Sequence, residues 1–279
     1  MSNFDYNVFA DSFFYKHQKT HSPPCDAYSM HTHNMYEILY FVGGDATHII
    51  EDRKYKLKKG DLVFIRPFKY HFIKIDSSAD YERYDILFDK RTVGFDPEQI
   101  LPAGTEVVNF GHNPIAHGVF GRIDYYKEKL SDEQFIGILP GLISEIVYGI
   151  NIVLKDDRPS EFSVTSRLVS DALRIMNERL FTLGSISEVA SELFVTESYL
   201  FRRFKEELHS TPKKYINDKR LLAAQVRLGL GEAPSAVYEK CGFRDYTSFY
   251  RSYVKYFGHS PSEENKGKRK LILKGEKTE

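Results

Sequence analysis

The 279-residue sequence has few of the features that mark secreted or membrane-spanning proteins. It contains no tryptophan and only two cysteines, Cys25 and Cys241, so we expect no disulfide framework and favour a reducing compartment. The N-terminus has no basic segment leading into an apolar stretch, as a signal peptide would. No apolar run approaches the ~20 residues of a membrane span. We therefore expect a cytoplasmic protein without a membrane partner.

The chain also lacks net charge, because 39 Lys and Arg balance 39 Asp and Glu. The two halves nevertheless differ. Residues 161–279 hold 21 basic against 16 acidic side chains, and residues 1–160 hold 18 against 23. An acidic front and a basic back indicate that the C-terminal half meets a polyanion. Chance variation in surface charge is the alternative reading.

Short segments rich in β-branched and aromatic residues follow one another from Tyr28 to Phe88. Turn sequences such as Gly-Gly at 43–44 and Lys-Gly-Asp at 59–61 separate them. Several short strands at regular spacing predict an antiparallel β-barrel or sandwich. We assign residues 1–115 to this domain.

A helical period replaces the strand pattern in residues 116–154. Within it Leu142, Ile146, Ile150 and Val153 form one apolar stripe,. Such a stripe must pack on the barrel or on a second copy of the chain. We favour the second copy, and so predict a helical dimerisation segment and a homodimer. The polar stretch 155–161 that follows is the predicted linker.

From residue 162 the sequence is almost entirely helical. A first short helix containing Val189 and Ala190 precedes a second, which Thr196 can cap and whose inward stripe is Leu200, Phe204 and Leu208,. Two short helices joined by a tight turn indicate a helix-turn-helix. The pattern recurs 49 residues later, with Arg251 in the place of Arg202. One long helix is predicted to connect the two units.

The segment "CGFRDYTSFYRSYVKYFGHSPSE" resembles the signature of the AraC/XylS family of bacterial transcription regulators, and the resemblance spans roughly residues 165–265. It implies an α+β protein with an N-terminal cupin-like barrel, a C-terminal all-α DNA-binding domain over 162–265 and a basic tail over 266–279. It also implies a sequence-specific regulator, an activator, that answers to a small-molecule effector such as a sugar. Promoter DNA, the effector and RNA polymerase are the expected partners besides the second copy.

The outward faces of the two second helices hold our candidates for contact with DNA. They are Glu197, Ser198, Phe201, Arg202, Lys205, Tyr246, Thr247, Tyr250 and Arg251. An arginine at such a position can reach the O6/N7 edge of guanine; a solvated basic helix face is the alternative. Tyr238 stands where the family has a small residue, so we expect it not to pack on its recognition helix as Ala190 does.

The sequence "HTHNMYE" with a later histidine resembles the two halves of a cupin metal motif. The residues are His31, His33, Glu37 and His71. They could bind a divalent metal, form the polar floor of an effector pocket, or be barrel histidines with ordinary hydrogen bonds. We expect a sensor that is not an enzyme and requires no cofactor. The rival is a metal-dependent cupin enzyme that carries a DNA-binding domain.

Overall fold

The computed structural model describes residues 4–10, 12–25, 27–156 and 160–266, and its first part is built from antiparallel strands. In chain order the elements are β1 (Phe4–Ala10), β2 (Phe13–Thr20), β3 (Tyr36–Gly43), β4 (Ala46–Ile50), β5 (Arg53–Lys56), β6 (Asp61–Ile65), β7 (His71–Ile75), β8 (Tyr81–Phe88), α1 (Lys90–Val93) and β9 (Val107–Asn109). The predicted strands from β3 to β8 are present. Strands β1 and β2 precede, and β9 follows, the stretch in which we predicted them.

The strands form two antiparallel sheets that pack face to face. One has the order β1-β2-β8-β3-β6-β9, and the other contains β5-β4-β7. Side chains alternate across β3, so Leu39 and Phe41 pack between the sheets with Ile73, whereas Ile38 and Tyr40 point to the opposite face,. This arrangement confirms the predicted antiparallel β domain.

Two helices, α2 (Pro114–Lys129) and α3 (Asp132–Asp156), cover that opposite face. Our interpretation of the α3 stripe as a dimer interface is wrong, because Ile146 and Ile150 are fully buried within the single chain. At Gly149 an added Cβ would lie 3.3 Å from the ring of Phe110. The helix therefore approaches the barrel closely at the position where it has no side chain.

The α3 helix is also the one segment of the described residues that could cross a membrane by length and composition, over Asp132–Lys155. This differs from our expectation that no segment qualifies. Much of its apolar surface, including Leu139 and Ile143, is buried in the core shared with the barrel. Packing on the sheet thus accounts for its apolar composition.

The rest of the described chain is helical apart from one short strand. The elements are β10 (Ser163–Val164), α4 (Arg167–Glu178), α5 (Ile186–Glu192), α6 (Glu197–Leu208), α7 (Pro212–Gly229), α8 (Pro234–Lys240) and α9 (Tyr246–Phe257). Helices α5 and α6 form one helix-turn-helix, α8 and α9 form a second, and α7 connects them. The predicted double unit is confirmed. The basic tail after residue 266 lies outside the described residues.

The two second helices, α6 and α9, begin and end in the same way. The Thr196 side chain accepts a hydrogen bond from the Tyr199 N–H (3.2 Å), and the Asp245 side chain accepts one from the Ser248 N–H (2.8 Å),. Each helix then stops at a residue with left-handed backbone, His209 (φ 51°) and Gly258 (φ 78°),. Both helices therefore have 12 residues.

Our expectation for Tyr238 needs correction. The Tyr238 ring lies 5.9 Å from the ring of Tyr246, centroid to centroid, and therefore does contact the recognition helix α9. Pro234 stands in the first turn of α8, where the N–H that proline lacks would have had no helical partner,. Neither residue disrupts the second unit.

The C-terminal helical domain packs directly on the barrel. Strand β10 pairs with β5, and the Thr165 N–H donates to the Asp52 carbonyl at 2.7 Å. Ile49 and Phe72, on the outer face of the second sheet, share a core with helices α4 to α7. Residues 157–159 of the predicted linker, including Pro159, lie outside the described residues.

Candidate functional site

The candidate DNA-contacting residues of α6 lie on its outer face. Glu197, Ser198, Arg202 and Lys205 are exposed, opposite the buried stripe of Leu200, Phe204 and Leu208. The Arg202 guanidinium lies 5.2 Å from the ring centroid of Tyr199 and 3.9 Å from Glu206. The Arg202 guanidinium is therefore held at the protein surface, exposed to solvent.

The α9 residues repeat this arrangement. Tyr246, Thr247, Tyr250 and Arg251 are all exposed, and Phe249 and Tyr253 are buried behind them. Hydrogen bonds from the Ser248 N–H and hydroxyl lower the pKa of Asp245, so the cap at the start of this helix is an anion over the ordinary pH range. The cap thus holds the start of α9 next to Tyr246 and Thr247, the first candidate contact residues.

Phe201 is placed differently from the other candidates. It is half-buried and lines a groove of about 980 Å³ between the two helix-turn-helix units.

Two aromatic residues near Phe201 that were not among the sequence candidates are more exposed: Tyr199 at 40% and Phe194 at 95%. Phe194 occupies the turn between α5 and α6 with left-handed backbone (φ 55°), at the place where the second unit has Gly242. Alignment of the two units is the signal that could have identified Phe194.

The predicted cluster His31, His33, Glu37 and His71 is brought together at one end of the barrel. One ligand-type atom from each side chain lies within 4.8 Å of all the others. His33 Nε2 lies 2.8 Å from Glu37 Oε2, and His71 Nε2 lies 2.9 Å from the same oxygen. A β-bridge between His31 and His71 joins the two parts of the sequence motif.

The histidine rings of this cluster are oriented by their second nitrogens. In each ring Nδ1 lies 2.9–3.0 Å from a backbone carbonyl oxygen two residues away, in the pairs His31–Ser29, His33–Met35 and His71–Lys69. A carbonyl oxygen only accepts, so Nδ1 carries the hydrogen. The Nε2 atoms are thereby left facing the cluster, which is how backbone groups commonly orient histidines that bind a metal.

The buried setting of the cluster shifts its ionisation. Burial by itself would favour the neutral form of Glu37, but the charge and hydrogen bonds of His71 and His33 outweigh it and hold the pKa of Glu37 well below its usual range. Burial and the neighbouring His71 lower the pKa of His31 well below its usual range. The cluster therefore contains a carboxylate and at least one neutral imidazole.

These groups fit a divalent metal ion. Three imidazole nitrogens and one carboxylate oxygen are ligands that zinc and the neighbouring transition metals take. Metal–ligand bonds of about 2.1 Å require opposed ligand atoms to lie no more than about 4.2 Å apart. The ligand-type atoms, which lie within 4.8 Å of one another, would have to move closer together to share one ion.

His48 is a further buried histidine that sequence reasoning missed. It lies on the inner face of β4, and its ring stacks against His71 at 6.0 Å. Burial, and then the charge of His71, lower its pKa to about 3, so it is neutral at physiological pH. Its position two residues from both Ala46 and Ile50, which pack between the sheets, is the signal that could have placed it in the barrel interior,.

A second polar cluster, also missed in the sequence, crosses between the barrel and α7. Glu51 accepts hydrogen bonds from Lys219 Nζ (2.7 Å) and from the Tyr215 hydroxyl. Beside it the Tyr70 hydroxyl donates to Asp218. All five side chains are buried. No local pattern pairs residues this distant in sequence, so only the packed domains reveal this contact.

Comparison with known proteins supports both halves of this description. Residues 21–111 match the family described as AraC-like ligand binding domain, and residues 189–267 match a helix-turn-helix domain family. The HTH-type transcriptional activator RhaS of Escherichia coli O81 (strain ED1a) is 21% identical over 251 residues, which cover 85% of this chain and 87% of RhaS.

Two solved structures are also similar. ToxT from Vibrio cholerae O395 aligns with 91% of this chain and 97% of its own, at 15% identity and a TM-score of 0.38. A transcriptional regulator with an AraC-type DNA-binding domain, from Chromobacterium violaceum, aligns with 36% of this chain and 89% of its own, at 26% identity and a TM-score of 0.33.

An effector-binding β domain joined to two helix-turn-helix units with exposed recognition faces defines a DNA-binding transcription regulator. The chain belongs to the AraC/XylS family. RhaS, the relative named above, is a transcription regulator. The individual contact residues on α6 and α9, and the role of the histidine cluster, stay predictions.

Proposed function

We propose that the chain activates transcription at a bacterial promoter when a small-molecule effector binds its N-terminal domain, residues 1–115. The observation that carries this proposal is the structural similarity of helices α6 and α9. Two helices of equal length, with matching caps and left-handed ends, both present their polar faces to solvent. Activation is proposed because relatives such as RhaS are named activators.

The proposed DNA contacts divide into two kinds. Arg202, Arg251 and Tyr250, which lie near the middle of their helices, are proposed to read base edges, helped by Ser198 and Thr247 in the first turns,. Glu197, Lys205 and Tyr246 lie toward the ends of the helices and position the protein on the backbone or on neighbouring bases. Phe201 is proposed to act at the edge of the groove between the units.

The regulator is proposed to work in the cytoplasm as a homodimer that also contacts RNA polymerase. Because the α3 stripe is buried, the proposed dimer surface is the outer face of α3, where Tyr148 and Ile152 are 50% and 52% exposed. These residues are four apart and so lie on the same side of the helix. A dimer would place four recognition helices on one promoter.

The barrel is proposed to sense and not to catalyse. Its effector-binding residues are proposed to be His31, His33, Glu37 and His71, and no cofactor is needed for DNA binding itself. A sugar effector stays a prediction. The rival is a metal-dependent enzyme fused to a DNA-binding domain, which would convert a small substrate at the same cluster. If the purified full-length protein turned over no substrate, that result would argue against the rival.

The proposal is tested with the full chain and DNA from upstream of its own gene. We expect Arg202→Ala and Arg251→Ala each to weaken specific binding by about 1–3 kcal/mol, with unchanged thermal stability. The matched control is Arg91→Ala, which removes an exposed arginine paired with Asp89 on the barrel. Gel-shift titration of wild type, both variants and the control decides the matter. Equal affinity for all four proteins would contradict the proposed interface.

A further inference from the structure

A second groove, of about 520 Å³, lies beside the one that Phe201 lines, where α6, α7 and α9 meet. We call it the lysine groove; its lining includes Phe201 of α6, Lys213 and Asn217 of α7, and Ser252 and Lys255 of α9. Three of these residues, Phe201, Lys213 and Asn217, also line the larger groove, so the two grooves adjoin. The lysine groove therefore lies between the recognition helices of the two units, with α7 connecting them.

The lysine groove carries excess positive charge. Lys213 and Lys255 are exposed, and neither forms an ion pair with a carboxylate in the part of the chain that the structure describes. Asp218, the carboxylate in the lining, is buried and bonded to Lys214 Nζ at 2.5 Å. The Tyr70 hydroxyl donates to the same carboxylate. Asp218 is thus already neutralised, and the charges of Lys213 and Lys255 remain available to an anion.

Contacts with the barrel hold two of the helices that form the lysine groove. Tyr70 of the barrel donates to Asp218 of α7, and the Tyr256 hydroxyl of α9 donates to the Thr32 carbonyl of the barrel at 3.1 Å. Asp218 and Tyr256 both belong to the lining of the groove. Because both helices are anchored to the barrel before any ligand arrives, less ordering is required when the groove is filled.

The position of the lysine groove indicates what kind of anion it receives. Two units that enter successive major-groove segments leave one minor groove between them, and sugar-phosphate backbone forms both edges of that minor groove. Backbone phosphates are a dense row of negative charge, and lysine is a common partner for them. Ser252 and Asn217 add a hydroxyl and an amide, which are further donors that bind phosphate oxygens in protein–DNA complexes.

We propose that the lysine groove, through Lys213 and Lys255, binds backbone phosphates of the DNA segment that lies between the two half-sites. This proposal rests on the proposed DNA-binding function and assigns to it a site outside the recognition faces. The contact positions the duplex and does not read its sequence, in contrast to Arg202 and Arg251. Since the groove has one wall from each unit, phosphates bound in it hold both recognition helices in register with their half-sites.

The first measurement is the salt dependence of DNA binding by the full chain. Removing a lysine that neutralises one phosphate lowers the slope of log K against log salt concentration by about 0.9. We expect Lys213→Ala and Lys255→Ala each to show this loss, on upstream DNA and on an unrelated duplex alike. Lys213→Arg keeps the charge and is expected to keep the slope.

The matched control is the double variant Lys58→Ala with Lys59→Ala, which removes two exposed lysines from the barrel. We expect its slope to equal that of wild type, because these lysines lie outside both helix-turn-helix units. Circular dichroism checks that every variant is folded, and all substituted side chains are exposed, so no core contact is lost.

The second measurement locates the phosphates on the DNA. Uncharged methylphosphonate linkages are placed one at a time along the upstream duplex. Linkages between the half-sites are expected to weaken binding of wild type. The double variant Lys213→Ala with Lys255→Ala is expected to be insensitive to the same linkages, because the charges that contact them are gone.

The outcomes separate this proposal from the one on which it rests. Wild-type slopes for both single variants, or full methylphosphonate sensitivity in the double variant, overturn the groove assignment and leave DNA binding intact. Weaker binding to upstream DNA alone, with the unrelated duplex unaffected, shows base readout by these lysines and overturns the backbone assignment. Wild type that binds no duplex at all refutes the proposed function, and the groove assignment with it.

Discussion

Glu51 of the barrel and Lys219 of the connecting helix form an ion pair, with 2.7 Å between Oε1 and Nζ and both side chains less than a tenth exposed. Glu51 sits at the turn after β4 with left-handed backbone (φ 52°), and α7 lies across it. Burial lowers the pKa of Lys219, although the adjacent Glu51 opposes this. The charge of each partner is therefore tolerated in the interior because the other is present.

We expect Glu51→Gln to destabilise the full chain by about 3–5 kcal/mol, because it leaves the Lys219 charge buried without its partner. Lys219→Met should cost a similar amount. The double variant is expected to recover much of this loss, since no unpaired charge remains. Urea denaturation of wild type, the two single variants and the double variant gives the coupling free energy between Glu51 and Lys219. Additive effects of the two changes would show that the pair does not hold the domains together.

The burial of the α3 stripe yields a prediction opposite to the one that the sequence suggests. Ile146→Glu places a carboxylate in the fully buried core between α3 and the barrel. We expect about 4 kcal/mol or more of destabilisation, or insoluble protein, rather than a folded monomer. Thermal unfolding of the soluble fraction measures it. A stable, folded and monomeric Ile146→Glu protein would restore the stripe as a dimer interface.

Ile152, six residues after Ile146 and exposed on α3, provides the matched test of the proposed dimer. Ile152→Lys changes a half-exposed side chain on the outer face of α3. We expect the melting temperature of the protomer to change little, and the mass in sedimentation to fall from dimer to monomer, because a charge would enter the apolar contact. If Ile152→Lys sediments as wild type does, the dimer surface lies elsewhere.

A pH dependence follows from Asp76, next to the second sheet. Burial would raise its pKa, but hydrogen bonds from Lys56, Thr47 and Lys74 prevail and lower it to about 2. A folded-state pKa below the usual 3.8 means that Asp76 stabilises the fold above about pH 4 and loses this contribution as the pH falls through 2,.

Comparison of wild type with Asp76→Asn isolates that contribution. Between pH 4 and pH 2 the free energy of unfolding of wild type should fall by roughly 2 kcal/mol more than that of the variant. Asp132→Asn, at a carboxylate that is 76% exposed, serves as the control and should follow wild type. Parallel curves for wild type and Asp76→Asn would show that the network around Asp76 is not coupled to folding.

Local patterns in the sequence were sufficient for most of the helices and strands and for one polar cluster. The cap at Thr196 and the inward stripe of Leu200, Phe204 and Leu208 depend on residues within one or two turns of each other, and both are present as predicted. The gathering of His31, His33 and Glu37 was likewise predictable, because they lie within seven residues. His71 required the motif resemblance as well.

Tertiary structure alone decided what each apolar surface packs against. An apolar stripe such as that of α3 predicts that one face of the helix is buried. Because the hydrophobic effect is non-directional, the stripe does not determine which surface covers that face. In the folded chain Ile146 packs on the barrel and not on a second copy. The same limit applies to Glu51 and Lys219, which are 168 residues apart: their pairing depends on how two folded domains meet, and no short-range property of either segment encodes it.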